Sequence, residues 1–468
     1  MEAHTKQQFE TIFLSLPTLT HVSNILKGKT LLALAQKYTV VVLNPLFDQT
    51  DAVKNNFPLS SNIVYKKLPL KCNRFWYIAN EYFRNPFIRE YDDWMITREW
   101  GYKKIRQIKF LIFLGSFLPK YFPNAHFFTI IEKLLISPSN EFKKLVKTYS
   151  PKLLVTATPG YGYALFDAEM IVFAKKLGIK SIAIDCSFDN PYTQSKFSRE
   201  TDYISVWSDS MKKDYVKYHH YSPEQVYVSG CLKFDHYFND RIEKKIKNRE
   251  EFLKSKNFDQ TKKTIVYATP TPGNYPPRKE FLALLLKARG DGAIVGKPNI
   301  LVRLHPLDVA KPYEDFLNIP GVRIERAGRQ YLNDKETKNS KIMMEENDLI
   351  NLTETLTYGN ILICFVSTML LEATLFNIPS VSIGFPEKQA KNGQFELVRD
   401  MVTMAKEPIA KNFEELIVII NRFLTTTQSK DDLLRDDETT KEYIQFTDGL
   451  SWKRTVDHID TIVNIKTS

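Results

Sequence analysis

The stretch ILICFVSTMLLEATLFNIPSVSIGF, from Ile361 to Phe385, constrains the fold more than any other part of the chain. Ile361 to Val366 is an apolar run with the length and branching of a buried strand. It stops at Ser367-Thr368, and helix-like residues follow. Ser and Thr favour such a position because their hydroxyls accept the free N–H groups of a first helical turn. Ile378-Pro379 then breaks the helix, and Ser380–Ile383 begins a second buried strand. Strand, helix and strand in immediate succession are the unit of a parallel sheet. A helix N-terminus at the carboxyl end of such a strand is also a seat for phosphate. Glu372 comes four residues after Thr368, about one helical turn on, so it can share that face and accept a ligand hydroxyl. The alternative is an ordinary capped helix.

The same alternation runs along the rest of the chain. In the first half, Thr11–Leu16, Val40–Leu43 and Ile63–Leu68 read as strands, with Ile25–Gln36 as a helix between the first two. Further strands are expected at Leu153–Ala157, Ser181–Asp185, Tyr203–Trp207 and Gln225–Ser229, with helices at Phe166–Leu177 and Ser210–His219. A second series begins at Thr264–Ala268 and continues at Asn299–Leu304 and Val322–Ile324 before the Ile361 unit. The pattern predicts an α/β fold of two doubly wound, Rossmann-like domains facing across a cleft. The expected bounds are 1–245 for the N-terminal domain, with a helical insertion over about 74–147, then a charged linker at 246–263. A C-terminal domain follows at 264–430 and a helical segment at 431–468, where Ser451–Ile465 has the pattern of an amphipathic helix.

Composition narrows the class. The net charge is +11 and the pI about 9.1, which favours anionic partners. No zinc finger, RNA-binding motif or helix-turn-helix signature is present, so nucleic acid is not the expected partner. Cys72, Cys186, Cys231 and Cys364 show no CxxC spacing. They are expected as free thiols, and no metal site is expected. No secretory leader is apparent, and the longest apolar run, Ile108–Leu118, is too short to span a bilayer. A cytoplasmic location is expected. The stretch Lys103–Phe128 sets five basic residues around Ile, Leu and Phe. It suits either the anionic inner face of a cell membrane or packing against the N-domain sheet.

In doubly wound sheets, ligands bind at the carboxyl ends of the strands, so the loops there are the candidates for chemistry. Thr269 to Asn274 follows a strand, and its Thr271 and Gly273 suit a wall close to a donor phosphate, or simply a rigid turn. Arg303 and His305 end the Asn299–Leu304 strand, where an imidazole can bind phosphate or shuttle a proton. Ser367, Thr368 and Glu372 complete the C-domain set. In the N-domain, Gly160 and Gly162 sit in a strand-to-helix turn suited to close approach by an acceptor. Asp185 and Asp189 follow another strand, as candidate bases for an attacking hydroxyl or as loop caps.

The segment Tyr203–Phe238, a strand ending in Val-Trp, a helix and then V-Y-V-S-G-C-L-K-F-D, resembles the N-domain end of bacterial surface-polysaccharide glycosyltransferases of the GT-B fold. Arg303–Pro306 (R-x-H-P) and Ser367–Ala373 (S-T-x-x-x-E-A) resemble their C-domain signatures. The layout is shared by CDP-glycerol glycerophosphotransferases and UDP-N-acetylglucosamine 2-epimerases. The chain lacks the epimerases' H-x-E-A-G run and Ser-Gly-Gly turn. It carries Phe365-Val366-Ser367-Thr368 in place of the Asp-Tyr-Ser-Ser turn of the CDP-glycerol enzymes. The resemblance implies that Ser367 and Thr368 hold a donor diphosphate, that Glu372 meets ribose or sugar hydroxyls, and that His305 meets a donor phosphate. Gly230 would allow close approach at the cleft. The expected function is transfer of a sugar from a nucleotide-sugar to a saccharide or lipid-linked acceptor, with no cofactor and no metal. The alternatives are a glycerophosphotransferase, a sugar-nucleotide 2-epimerase, and a peripheral membrane scaffold without catalysis.

Overall fold

Uninterrupted runs of branched apolar residues, such as Thr39–Asn44 (TVVVLN) and Thr264–Ala268 (TIVYA), mark strands covered on both faces, as in parallel sheets. The computed structural model of the chain describes residues 9–26, 28–47, 57–70, 136–160, 165–193, 201–272, 277–330, 342–365, 367–385, 408–426 and 437–465. The chain divides into two compact units, Met1–Asp235 with Leu450–Ser468, and His236–Gly449.

Unit 1 holds a seven-stranded parallel sheet. Its strands are β1 (Thr11–Ser15), β2 (Thr39–Asn44), β3 (Ile63–Lys67), β4 (Leu153–Thr156), β5 (Lys180–Ile184), β6 (Tyr203–Val206) and β7 (Val226–Val228), in the order β3-β2-β1-β4-β5-β6-β7. The order reverses between β1 and β4, whose register pairs Leu14 with Val155. This is the strand order of a doubly wound nucleotide-binding sheet with one strand added. The helix expected over Ile25–Gln36 is instead two, α1 (Leu19–Leu26) and α2 (Lys29–Lys37). Gly28 is extended, with φ −81° and ψ −175°, and serves as the N-cap of α2. Glycine in a helix interior costs about 1 kcal/mol, which favours the break there. The next helices are α3 (Asn140–Tyr149), α4 (Leu165–Lys176) and α5 (Asp209–His219). In α4 every residue from Phe166 to Ala174 is buried, Asp167 and Glu169 included, so the helix is covered all round.

Unit 2 repeats the plan. Its strands are β8 (Thr264–Ala268), β9 (Asn299–Leu304), β10 (Val322–Arg326), β13 (Ile361–Cys364), β14 (Ser380–Ile383) and β15 (Ile409–Ala410), which form a six-stranded parallel sheet in the order β10-β9-β8-β13-β14-β15. Between β10 and β13, β11 and β12 (Arg329–Gln330 and Ile342–Met343) form a small antiparallel pair. The residues expected to link the domains are part of this unit. In α6 (Arg249–Ser255), which carries an Asn248–Glu251 capping box, Phe252 and Leu253 are buried against Phe258 and Leu301. The remaining helices are α7 (Arg278–Gly290), α8 (Glu346–Tyr358), α9 (Met369–Leu375), α10 (Phe413–Thr425) and α11 (Asp437–Tyr443).

The last helix, α12 (Ser451–Asn464), returns to unit 1. Asp235 accepts the backbone N–H groups of Ser451 (3.1 Å) and Trp452 (2.7 Å), which satisfies two free donors of the first turn. Asp460 accepts from both Lys37 and Tyr38 at the end of α2.

Candidate functional site

The loops leaving β8 and β9 are laced together. Thr269 N–H donates to Arg303 O (2.9 Å), and His305 N–H donates to Thr269 Oγ1 (2.9 Å). The His305 ring is held by Leu307, whose N–H donates to Nδ1 (3.1 Å). Nδ1 is therefore an acceptor, and in the neutral ring the proton sits on Nε2, 3.4 Å from Thr271 Oγ1. Burial lowers the His305 pKa, outweighing the pull of Asp308. The ring is thus a neutral N–H donor at Nε2, suited to binding an anion's oxygen. Gly273, two residues past Thr271, lies outside the described residues.

A second set of contacts fixes both loops. Arg278, the first residue of α7, grips Asp308 with Nε to Oδ2 (2.8 Å) and Nη2 to Oδ1 (3.1 Å), and donates Nη1–H to Pro272 O (3.0 Å). Tyr313 OH donates to the same carboxylate (2.9 Å), and Asp308 N–H donates to His305 O (2.7 Å).

Arg303, the fifth residue of β9, is 8% exposed. Among the described residues its side chain has no hydrogen bond and no ion pair; Tyr237, Glu372, Glu325 and Asp348 act on its charge at longer range. Burial lowers its pKa, but guanidinium stays charged in proteins. Glu372, buried on α9, accepts a hydrogen bond from Tyr237 OH, and Tyr237 packs edge-on against Phe376. Ser367 Oγ accepts Met369 N–H (3.2 Å). The helix itself is one short element of seven residues, and its cap residue Thr368 makes no side-chain cap bond. The structure therefore brings together Arg303, His305, Thr271 and Thr269 at the carboxyl ends of β8 and β9. Ser367, Thr368 and Glu372 stand at the end of the adjacent β13.

In unit 1, Asp185 ends β5 with its oxygens engaged: Oδ1 accepts from Ser187 N–H (3.2 Å) and Asn190 Nδ2 (2.6 Å), and Oδ2 from Tyr215 OH. Asp189 accepts from Ser187 Oγ. These contacts are those of a capped loop. Gly160 has φ +98°, and a Cβ there would stand 3.3 Å from the Ala168 backbone, so the glycine permits close packing of its turn on α4. Gly230, with φ +92°, donates its N–H to Val206 O. Gly162 lies outside the described residues, as does Lys103–Phe128. No helix among the described residues is long and apolar enough to cross a membrane. Also among them, no group of three or more His, Cys, Asp or Glu side chains is placed to hold a metal.

Residues that the sequence reading missed stand beside those it found. Tyr237 lies 135 positions from Glu372, so nothing local announces their bond. Arg278 and Asp308 are 30 positions apart, so their pairing carries no local signal either. His21 sits on α1 and lines a cavity with Asn24, Ala157, Asp185, Cys186, Trp207 and Lys233.

Whole-chain comparison finds the same architecture in solved enzymes. S. aureus MnaA bound to UDP is 13% identical, with 98% of each chain covered and a TM-score of 0.54. The UDP-GlcNAc 2-epimerase from Methanocaldococcus jannaschii is 12% identical, covering 97% of this chain and 100% of that one, with a TM-score of 0.52. The UDP-GlcNAc 2-epimerase from Neisseria meningitidis, solved with UDP-GlcNAc, is 11% identical, covering 96% and 100%, with a TM-score of 0.52. No protein-family model and no curated protein sequence matches the chain. At these identities the likeness establishes the fold, two Rossmann-like domains of GT-B type.

Proposed function

We propose that the chain is a glycosyltransferase that binds a nucleotide-sugar in unit 2 and passes its sugar to a saccharide or lipid-linked acceptor in surface-polysaccharide synthesis. One observation carries the donor site: a buried guanidinium, Arg303, without a hydrogen bond or close ion pair among the described residues, at the carboxyl end of a parallel strand. A buried charge whose N–H groups are unbonded is costly, and the oxygens of a bound anion would compensate it. The Nε2–H of His305 and the hydroxyl of Thr271 stand on the same loops and suit the oxygens of a diphosphate. Glu372, whose carboxylate already holds one hydroxyl, suits the hydroxyls of ribose. In the reaction the acceptor oxygen bonds to the anomeric carbon, the bond from that carbon to the diphosphate oxygen breaks, and charge gathers on the leaving phosphate. Arg303 and the His305 N–H would stabilise that charge.

The likeness to the two UDP-GlcNAc 2-epimerases favours a second reading, a sugar-nucleotide 2-epimerase, although the chain lacks the H-x-E-A-G run. Titration calorimetry against UDP, CDP and GDP tests the site itself. One of them should bind, and Arg303→Met should weaken it by at least about tenfold, the loss expected for a charge-assisted contact. Failure of all three to bind, or native affinity in a folded Arg303→Met protein, removes the donor site and leaves the scaffold reading. Incubation with UDP-N-acetylglucosamine and no acceptor separates the two enzyme readings, because only an epimerase converts the sugar under those conditions.

A further inference from the structure

Glu372 is 1% exposed, yet a ligand hydroxyl has to reach it if unit 2 binds a nucleotide-sugar. Helix α9 carries it from the end of β13, and its N–H donates to Thr368 O (3.0 Å), so its backbone is fixed in the first helical turn. The hydroxyl on its Oε2 comes from Tyr237, 135 positions earlier. Tyr237 lies in the short 3₁₀ turn Asp235–Phe238, at the start of unit 2. Its ring stands edge-on to Phe376, with 5.0 Å between centroids and 83° between planes, and beside the ring of His236. Unlike Glu372 it is only partly buried, and its neighbour Phe238 is 37% exposed. The carboxylate is thus held inside on a helix, while the hydroxyl comes from a surface turn. Both groups act on the charge of Arg303, so hydroxyl, carboxylate and guanidinium share one neighbourhood.

We propose that Tyr237 stands in for the ligand: its hydroxyl occupies Glu372 while the donor site is empty, and a ribose hydroxyl of the nucleotide displaces it. The inference rests on the donor reading of Arg303 and Glu372. A buried carboxylate left without a donor is costly. Tyr237 removes that cost in the empty protein with the same chemical group that ribose brings, an O–H donor. Exchange then trades one charge-assisted bond for another. Rotation of the Tyr237 side chain releases the contact without moving α9. Two consequences follow from the trade. Nucleotide affinity is lower by the worth of the bond given up. The site also selects for a ribose carrying its hydroxyls, because a ligand without them displaces Tyr237 and returns nothing to Glu372. The competing role is a permanent brace, in which Tyr237 aims Glu372 and stays bonded when the nucleotide arrives. The two roles differ in sign: loss of a brace weakens binding, and loss of a stand-in strengthens it.

The test is calorimetry on the full chain with whichever of UDP, CDP and GDP binds the parent, and with the 2′,3′-dideoxy form of that nucleotide. Tyr237→Phe keeps the ring against Phe376 and removes only the hydroxyl. It should tighten the ribonucleotide about tenfold or more, the worth of a hydrogen bond to a charged group. The dideoxy form should bind the parent at least about tenfold more weakly than the ribonucleotide. In a Glu372→Ala background, Tyr237→Phe should leave affinity unchanged, since no bond remains to be given up. Unchanged or weakened binding in a folded Tyr237→Phe protein overturns the proposal. So does equal affinity of the parent for the two nucleotide forms, and this arm serves if Glu372→Ala does not fold. A loss of affinity in Arg303→Met alongside either result leaves the donor site standing without the stand-in. Failure of all three nucleotides to bind removes both.

Discussion

Asp167 is enclosed where β1 and β4 meet α4, with Ser15 Oγ donating to Oδ1 (2.5 Å) and Thr158 Oγ1 to Oδ2 (3.0 Å). Burial raises its pKa to about 8, against the pull of those hydrogen bonds. The unfolded chain holds an ordinary aspartate, so between about pH 4 and pH 8 the folded state binds the extra proton. The contribution of this group is complete below pH 4, declines by about 1.4 kcal/mol per pH unit as pH rises, and is gone above pH 8. His21 and His458, each lowered to about 4 by burial, act oppositely and lose stability as pH falls below their ordinary value. Asp167→Asn isolates the first effect. Its melting temperature, relative to the parent, should rise steadily from pH 5 to pH 8.5, and a constant difference would refute the raised pKa. Single residues were legible where position alone gives them meaning. Arg303, His305 and Glu372 could be singled out because they close strands or begin a helix at the ligand edge of a sheet. Asp167, Tyr237 and His21 were not, because their environments come from residues far away in the chain.

At the scale of elements, Arg278, Asp308 and Tyr313 join the start of α7 to the loop after β9, and through Pro272 O to the loop after β8. Asp308 is 1% exposed at its side chain and Arg278 12%. Removing one partner of such a pair leaves the other buried and charged. Asp308→Asn should cost about 3 kcal/mol in denaturant unfolding. It should also weaken nucleotide binding, since His305 hangs from Asp308 N–H. Native stability in Asp308→Asn would show the pair to be solvent-screened. Strands β8, β9 and β14 could be bounded from the sequence because branched residues recur through them and each is followed by a polar residue or a glycine. The two-residue β15 could not, since two residues carry no period. The Ile25–Gln36 region read as one helix because its apolar spacing runs on across Gly28, where the backbone does not.

For the whole molecule, the paired doubly wound sheets were readable from the alternation of strands and helices, but the path of the chain was not. The expected boundary lay in a charged stretch, whereas unit 2 begins at His236 and takes α6 into its own core. Charge density marks a solvated face and does not report that Phe252 and Leu253 are buried beneath it. Helix α12 buries Thr455, Val456, Ile459 and Ile462 within unit 1. Deleting residues 450–468 should therefore lower one calorimetric transition, that of unit 1, while nucleotide affinity in unit 2 persists. A single unchanged transition would contradict the assignment of α12. The same return path bears on synthesis. Unit 2 is one continuous stretch and can finish folding as it leaves the ribosome. Unit 1, whose sheet is made before unit 2, must wait for α12 to emerge after it, so a stall between the two would leave its Asp235 cap unfilled and its α2 face bare to chaperones and proteases.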